Sequence, residues 1–214
     1  MNNLKHPEII QGGMGIAVSD WRLAQSVSQL GQLGVVSGTA INSVLVRRLQ
    51  DGDKDGSQRK ALASFPQKEI AHKILQDYFI ENGKAPTAPY KRAPLFNLKS
   101  SLSLLQLTVV AAYCEVWLAR QGHNNPVGIN LLEKVHLPNL ACLYGSMLAG
   151  VQYVIMGAGI PREIPGCLDL LAQNKPARLK IPVEGSTDDF WTEFDPSEVM
   201  QGQLPESLFR PHFF

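Results

Sequence analysis

What this sequence lacks first is an excess of charge. Its 20 lysines and arginines are balanced by 19 acidic residues, a formal net charge of +1. That balance excludes the broad basic field needed for nonspecific nucleic-acid binding or for attraction to an anionic membrane. Cysteine is scarce as well. Cys114, Cys142 and Cys167 are the only three, far apart and each in an apolar run. An odd, scattered set argues against a disulfide framework and against a thiolate metal site, so no metal is expected. It fits reduced thiols in the core of a cytoplasmic protein. Residues 1–7 hold no apolar run, so no secretory signal is expected there. The longest apolar stretch, 102–118, is interrupted by Ser103, Gln106, Thr108 and Glu115. It reads as a buried helix and not as a membrane span.

What the chain does have is glycine at the ends of apolar runs. Ile9 and Ile10 lead into Gln11-Gly12-Gly13-Met14-Gly15. Glycine permits a positive φ and leaves no Cβ between the backbone and a ligand, so a strand ending this way opens either a tight turn or a site. Ser19 and Asp20 then cap a helix over 21–30. Gly34-Val35-Val36-Ser37-Gly38-Thr39 is a second short strand with small residues at its end. One strand, one helix and another strand joined by short connections form a βαβ unit with parallel strands.

The spacing then breaks. Residues 44–49 read as a turn or two of helix. Asp51, Asp53, Asp55 and Gly56 match the start of a calcium loop, but Leu62 stands where the pattern needs its final glutamate, so a solvated turn is expected. Pro66 opens a helix to about residue 82, with Ile70, Ile74 and Tyr78 on one face. Pro86, Pro89 and Pro94 mark an extended connector. A buried helix follows over 102–121.

The first theme returns in Val127-Gly128-Ile129-Asn130-Leu131-Leu132, a strand with one polar residue. A buried amide must be hydrogen-bonded, so Asn130 meets a loop or a ligand. A helix over 137–148 and a strand ending in Gly157-Ala158-Gly159 come next, then a helix over 162–173. Residues 177–183 alternate like an exposed edge strand. Residues 186–195 read as a surface excursion. Residues 209–214 look like a strand that is just beginning.

Strands that alternate with helices and end in small residues predict an α/β fold with a parallel sheet, either barrel or doubly wound. The motifs at 9–15, 34–39, 127–130 and 154–165, in that order, resemble the nitronate monooxygenase family, formerly called 2-nitropropane dioxygenases. The likeness is strongest to a bacterial branch with a long insertion after the second strand, which Leu179-Lys180 and Phe194-Asp195-Pro196 also match. The resemblance implies an FMN-dependent TIM barrel, (β/α)8, acting on a small-molecule substrate. By that measure the chain is a single domain over 1–214. It is a partial, truncated barrel: the first four βα units, a helical insertion at 44–121, and a stop where the fifth strand begins.

The family oxidises alkyl nitronates with molecular oxygen to a carbonyl compound and nitrite. The resemblance implies that Gly12, Gly13 and Met14 present backbone to the flavin ring. It makes Asn130 a polar contact, with Ser37, Gly38, Thr39, Gly157, Ala158 and Gly159 lining the rest of the mouth. The family's catalytic base is the histidine of a glycine-glycine-histidine motif, and no such motif occurs here. No catalytic residue is therefore assigned. His6, His72, His123, His136 and His212 read as surface or packing residues, with His123 and His136 in loops. The glycine loops that grip the flavin phosphate are absent too, so weak FMN binding, or none, is expected. Two other readings remain: an enoyl-acyl-carrier-protein reductase or related lipid or polyketide reductase, with an acyl carrier protein as partner, and a non-catalytic fragment. An open half-barrel leaves two bare edges, which favours a homo-oligomer.

Overall fold

The computed structural model describes residues 7–214. Four strands form one parallel sheet: β1 (Gly34–Ser37), β2 (Val127–Leu132), β3 (Tyr153–Gly157) and β6 (His212–Phe213), in the order β1-β2-β3-β6. Every pairing in this sheet is parallel. The strands therefore follow chain order across the sheet, with no reversal. The fold is mixed α/β, as the alternation of elements predicted.

The expected first strand is reduced to a single parallel bridge, Ile10 to Leu33. Gln11 explains why pairing stops there. Its backbone N–H donates to the Leu33 carbonyl at 3.0 Å. Its side-chain Oε1 then accepts the Val35 N–H at 3.1 Å, where a regular ladder would use the next carbonyl. The backbone is released from the sheet at this point and turns into Gly12. Ile9 and Ile10 are exposed as a consequence.

Between β1 and β2 lie four helices: α2 (Ile41–Gln50), α3 (Ser57–Ser64), α4 (Lys68–Tyr78) and α5 (Leu102–Ala119). The predicted helix at 44–49 starts three residues earlier, and that at 66–82 is shorter at both ends. The α3 helix was not foreseen, because Ala61 and Leu62 alone give its face no apolar period. The α5 helix is long and apolar enough to cross a membrane, but 78% of it is buried in the protein. It packs on α6 (His136–Leu148) and lies against β1 and β2. Beside it α1 (Trp21–Gln29) covers β1, held at its start by the Asp20 carboxylate, which accepts the Arg22 and Leu23 N–H groups.

The C-terminal third corrects two expectations. Residues 177–183 are no lone edge strand, and 186–195 are no excursion. β4 (Ala177–Ile181) and β5 (Phe190–Phe194) pair antiparallel as a separate hairpin. Ala177, Leu179 and Phe194 face the core, and Phe194 packs on Tyr144 of α6 with ring centroids 5.4 Å apart. The α7 helix (Ile164–Ala172) leads into this hairpin, and α8 (Pro196–Val199) follows it.

The two faces of the parallel sheet differ. Val36, Ile129, Leu131, Val154 and Met156 belong to one large core with residues from each of the eight helices found among the described residues. On the other face Leu33, Val35 and Tyr153, with Ile155 against them, form a small cluster that contains no helix residue. The Tyr153 ring stacks on Phe214 there, at 5.5 Å and 7° between planes. The register sets Ser37 beside Asn130 and Asn130 beside Ile155 at the carboxyl end of this helix-free face.

Candidate functional site

The turn at 12–14 sits at that carboxyl end. Gly13 has φ +66, and a Cβ on it would lie 2.3 Å from Val35 Cγ1, so only glycine fits the turn against the strand. Gly12 has open space where a side chain would project. Asn130 holds the turn down: its Nδ2 donates to the Gly12 carbonyl at 2.5 Å. Ser37 Oγ reaches the Met14 carbonyl at 3.5 Å. Asn130 is 6% exposed, and its Oδ1 accepts no hydrogen bond from the described residues. One half of a nearly buried amide is thus used on a loop, and the other half is free for a ligand donor.

Five of the predicted residues, Gly12, Gly13, Met14, Ser37 and Asn130, meet in this way across as many as 118 positions of sequence. The remaining five lie elsewhere on the same end of the sheet. Gly38 donates its N–H to the Asn130 carbonyl at 2.8 Å and, with Thr39, lines a cavity beside α2. Gly157 ends β3 and its carbonyl accepts the Glu133 N–H at 2.9 Å. Ala158 turns the chain with φ +63, and Gly159 lies against the Glu133 carboxylate.

The histidines separate. His6 lies outside the described residues. His72 is on the exposed side of α4. His123 Nε2 meets the Ala119 carbonyl at 2.8 Å. His212 is in β6 and packs against Tyr153. His136 is not in a loop, contrary to expectation. It is the first residue of α6, with its Nε2 3.3 Å from Glu133 Oε1, and it faces two adjoining cavities. Sequence reasoning set the helix start one residue later, at Leu137, and so left His136 in the preceding loop.

The apparent calcium loop is a set of helix caps. Asp53 is 5% exposed and accepts the N–H groups of Gln58 and Arg59, both at 2.9 Å, as well as Arg59 Nε. Asp51 accepts the Tyr90 hydroxyl at 2.7 Å, and Asp55 binds the Ser57 N–H and Arg22. The three carboxylates therefore diverge. Among the described residues no group of three metal-ligating side chains converges. Asp53→Ala is expected to lose about 2 kcal/mol through two unpaired amides at the start of α3. Added calcium should leave the wild-type melting temperature unchanged, and a calcium-dependent rise would refute the capping assignment.

All three cysteines are free and buried. Burial pushes the Cys142 thiol up to about 12 and Cys167 up to about 11, so neither is a nucleophile at neutral pH.

No protein-family model, no curated protein and no solved structure matches this chain.

Proposed function

We propose that this chain carries the flavin-facing wall of an FMN-dependent barrel that oxidises alkyl nitronates with molecular oxygen to a carbonyl compound and nitrite. The observation that carries the reading is the Asn130 amide pinning the Gly12 carbonyl at the carboxyl end of the helix-free face. Two features of the fold support it. A doubly wound sheet places helices on both faces and reverses its strand order at the binding crevice. Here the strands run in chain order and the large core lies on one face. Helices outside and strand side chains inside are the geometry of a barrel wall, whose functional residues sit at the carboxyl ends of the strands.

When bound, FMN supplies the electron transfer. The chain's own residues hold and orient it. Gly12 and Gly13 bring the backbone up without a side chain in the way, and Ser37 and Asn130 fix that backbone in place. Asn130 Oδ1 offers an acceptor to a ring N–H. Met14, 64% exposed, offers an apolar side chain as cover. Three buried free thiols suit a reducing, cytoplasmic setting. The 214 residues contain no glycine-glycine-histidine motif. They therefore provide contacts to the ring side and no proton acceptor of the family type.

Titration of the purified chain with FMN, followed by flavin fluorescence, tests the reading. Saturable quenching is expected, with little flavin retained through purification and no nitrite formed from an alkyl nitronate. Asn130→Ala should weaken binding about tenfold, the equivalent of about 1.4 kcal/mol. The absence of saturable quenching, or an Asn130→Ala chain that binds as well as the wild type, would count against this wall as the flavin site.

A further inference from the structure

A second site lies beside the mouth, on the helix side of the sheet. It is a cavity of about 510 Å³, within the size range of small-ligand pockets. The first residues of both α2 and α6 line it. Neither helix has a side-chain cap, and neither has an acidic residue in its first turn. Two uncapped helix starts thus present free N–H groups and the positive ends of two dipoles to one space.

A buried side chain points to the same ligand charge. Asn42 lines the cavity and is 8% exposed. Its Oδ1 accepts the neighbouring Ser43 N–H at 2.9 Å. Its Nδ2 has no hydrogen-bond acceptor among the described residues, so a donor is left facing the cavity. Lys134 stands at the rim and makes no ion pair among the described residues. The nearest acidic residue in sequence, Glu133, is turned to His136 and the adjoining cavity. Most of the remaining wall is apolar, with Ile41, Phe96, Leu137, Pro138, Ile181 and Pro182, and Thr39, Thr108 and His136 are its other polar side chains. Phe96 comes from the proline-rich connector and Ile181 and Pro182 from the end of β4, so these two distant segments close the space between the two helix starts.

We propose that this cavity binds an organic monoanion with an aliphatic body, the carboxylate of a medium-chain acid being the simplest case. The head would accept from Asn42 Nδ2, from the first amides of α2 and α6, and from Lys134. The chain would lie along Ile41, Phe96 and Ile181. The site is separate from the wall at 12–14, and the proposal does not depend on flavin binding.

Octanoate is the probe, with octan-1-ol as its neutral counterpart. Calorimetry on the whole chain should show octanoate binding at least tenfold more tightly than octan-1-ol. Lys134→Glu changes an exposed residue, and its circular dichroism should match the wild type. It should weaken octanoate at least tenfold and leave octan-1-ol unaffected. In a nitrogen-15 spectrum octanoate should shift the Asn42 side-chain amide and the backbone amides of Ile41 and Leu137. Equal affinity for acid and alcohol, unchanged binding by Lys134→Glu, or shifts confined to residues 12–14 would each overturn the assignment. Loss of FMN binding with octanoate binding intact would refute the flavin wall alone.

Discussion

Replacing Glu115 by alanine should lower the stability by about 3 kcal/mol, a drop of about 6–12 °C in the melting temperature of a domain this size. Glu115 sits in the C-terminal third of α5 and is 5% exposed. Its Oε1 accepts the Trp21 N–H at 2.8 Å and its Oε2 accepts Arg48 Nη1 at 2.5 Å. One carboxylate therefore joins three helices: α5, the start of α1 and the end of α2. Alanine would strand the Trp21 amide and half of the Arg48 guanidinium. The estimate stands at the low end of the usual range because Arg48 keeps Asp20 at 3.4 Å and some solvent. A loss below about 1 kcal/mol by urea denaturation would mean that the network is incidental.

The same residue sets a pH dependence. Burial raises the Glu115 carboxyl above the ordinary glutamate range, against the opposing pull of Arg48 and the Trp21 amide. A group raised in the folded state contributes stability that is fully present below its unfolded value, about 4.3, and is lost as pH rises through its folded value. The stability of the wild type relative to Glu115→Gln should therefore decline as pH rises above about 4. Urea midpoints of both proteins across pH would show it. A difference that grows with pH would reverse the sign and the cause.

Gly145→Ala should cost about 3 kcal/mol, at the upper end for overpacking. Gly145 lies on α6 where it crosses α5, and a Cβ there would fall 2.1 Å from the Val109 carbonyl oxygen. The obstacle is backbone, so it cannot rotate away. The helices would have to separate, and α5 and α6 form the heart of the core. Gly166→Ala is the matched control. It is an exposed helical glycine on α7 with nothing near its missing Cβ, so alanine there should stabilise by about 0.5 kcal/mol. If Gly145→Ala stabilises as Gly166→Ala does by thermal unfolding, helix propensity and not the close approach governs Gly145.

Much of the architecture was legible in the residues. The short β-branched runs at 34–37, 127–132 and 153–157 and the helices at 21–29 and 102–119 follow from periodicity, small-residue punctuation and caps. The site was half legible. Asn130 declared itself as a lone amide in an apolar strand, and Gly12-Gly13 as a turn without side chains. Glu115 was visible only as an interruption of an apolar run. A charge in such a run always implies a partner, but nothing local names Trp21 and Arg48. Asp53 imitated a calcium ligand because its role, capping residues five and six positions on, uses the same residue type at the same spacing.

Alternation of elements, sheet class and the small residues at strand ends were set by short-range chemistry: side-chain volume, backbone freedom and hydrophobic period act over a few residues. Which face the helices cover, where β5 finds β4, and what Asn130 holds depend on contacts between distant segments. The Asn130–Gly12 bond spans 118 positions. The cavity between α2 and α6 exists only once Phe96 and Ile181 close over it. No local pattern encodes such meetings, because they are chosen by how the whole core packs.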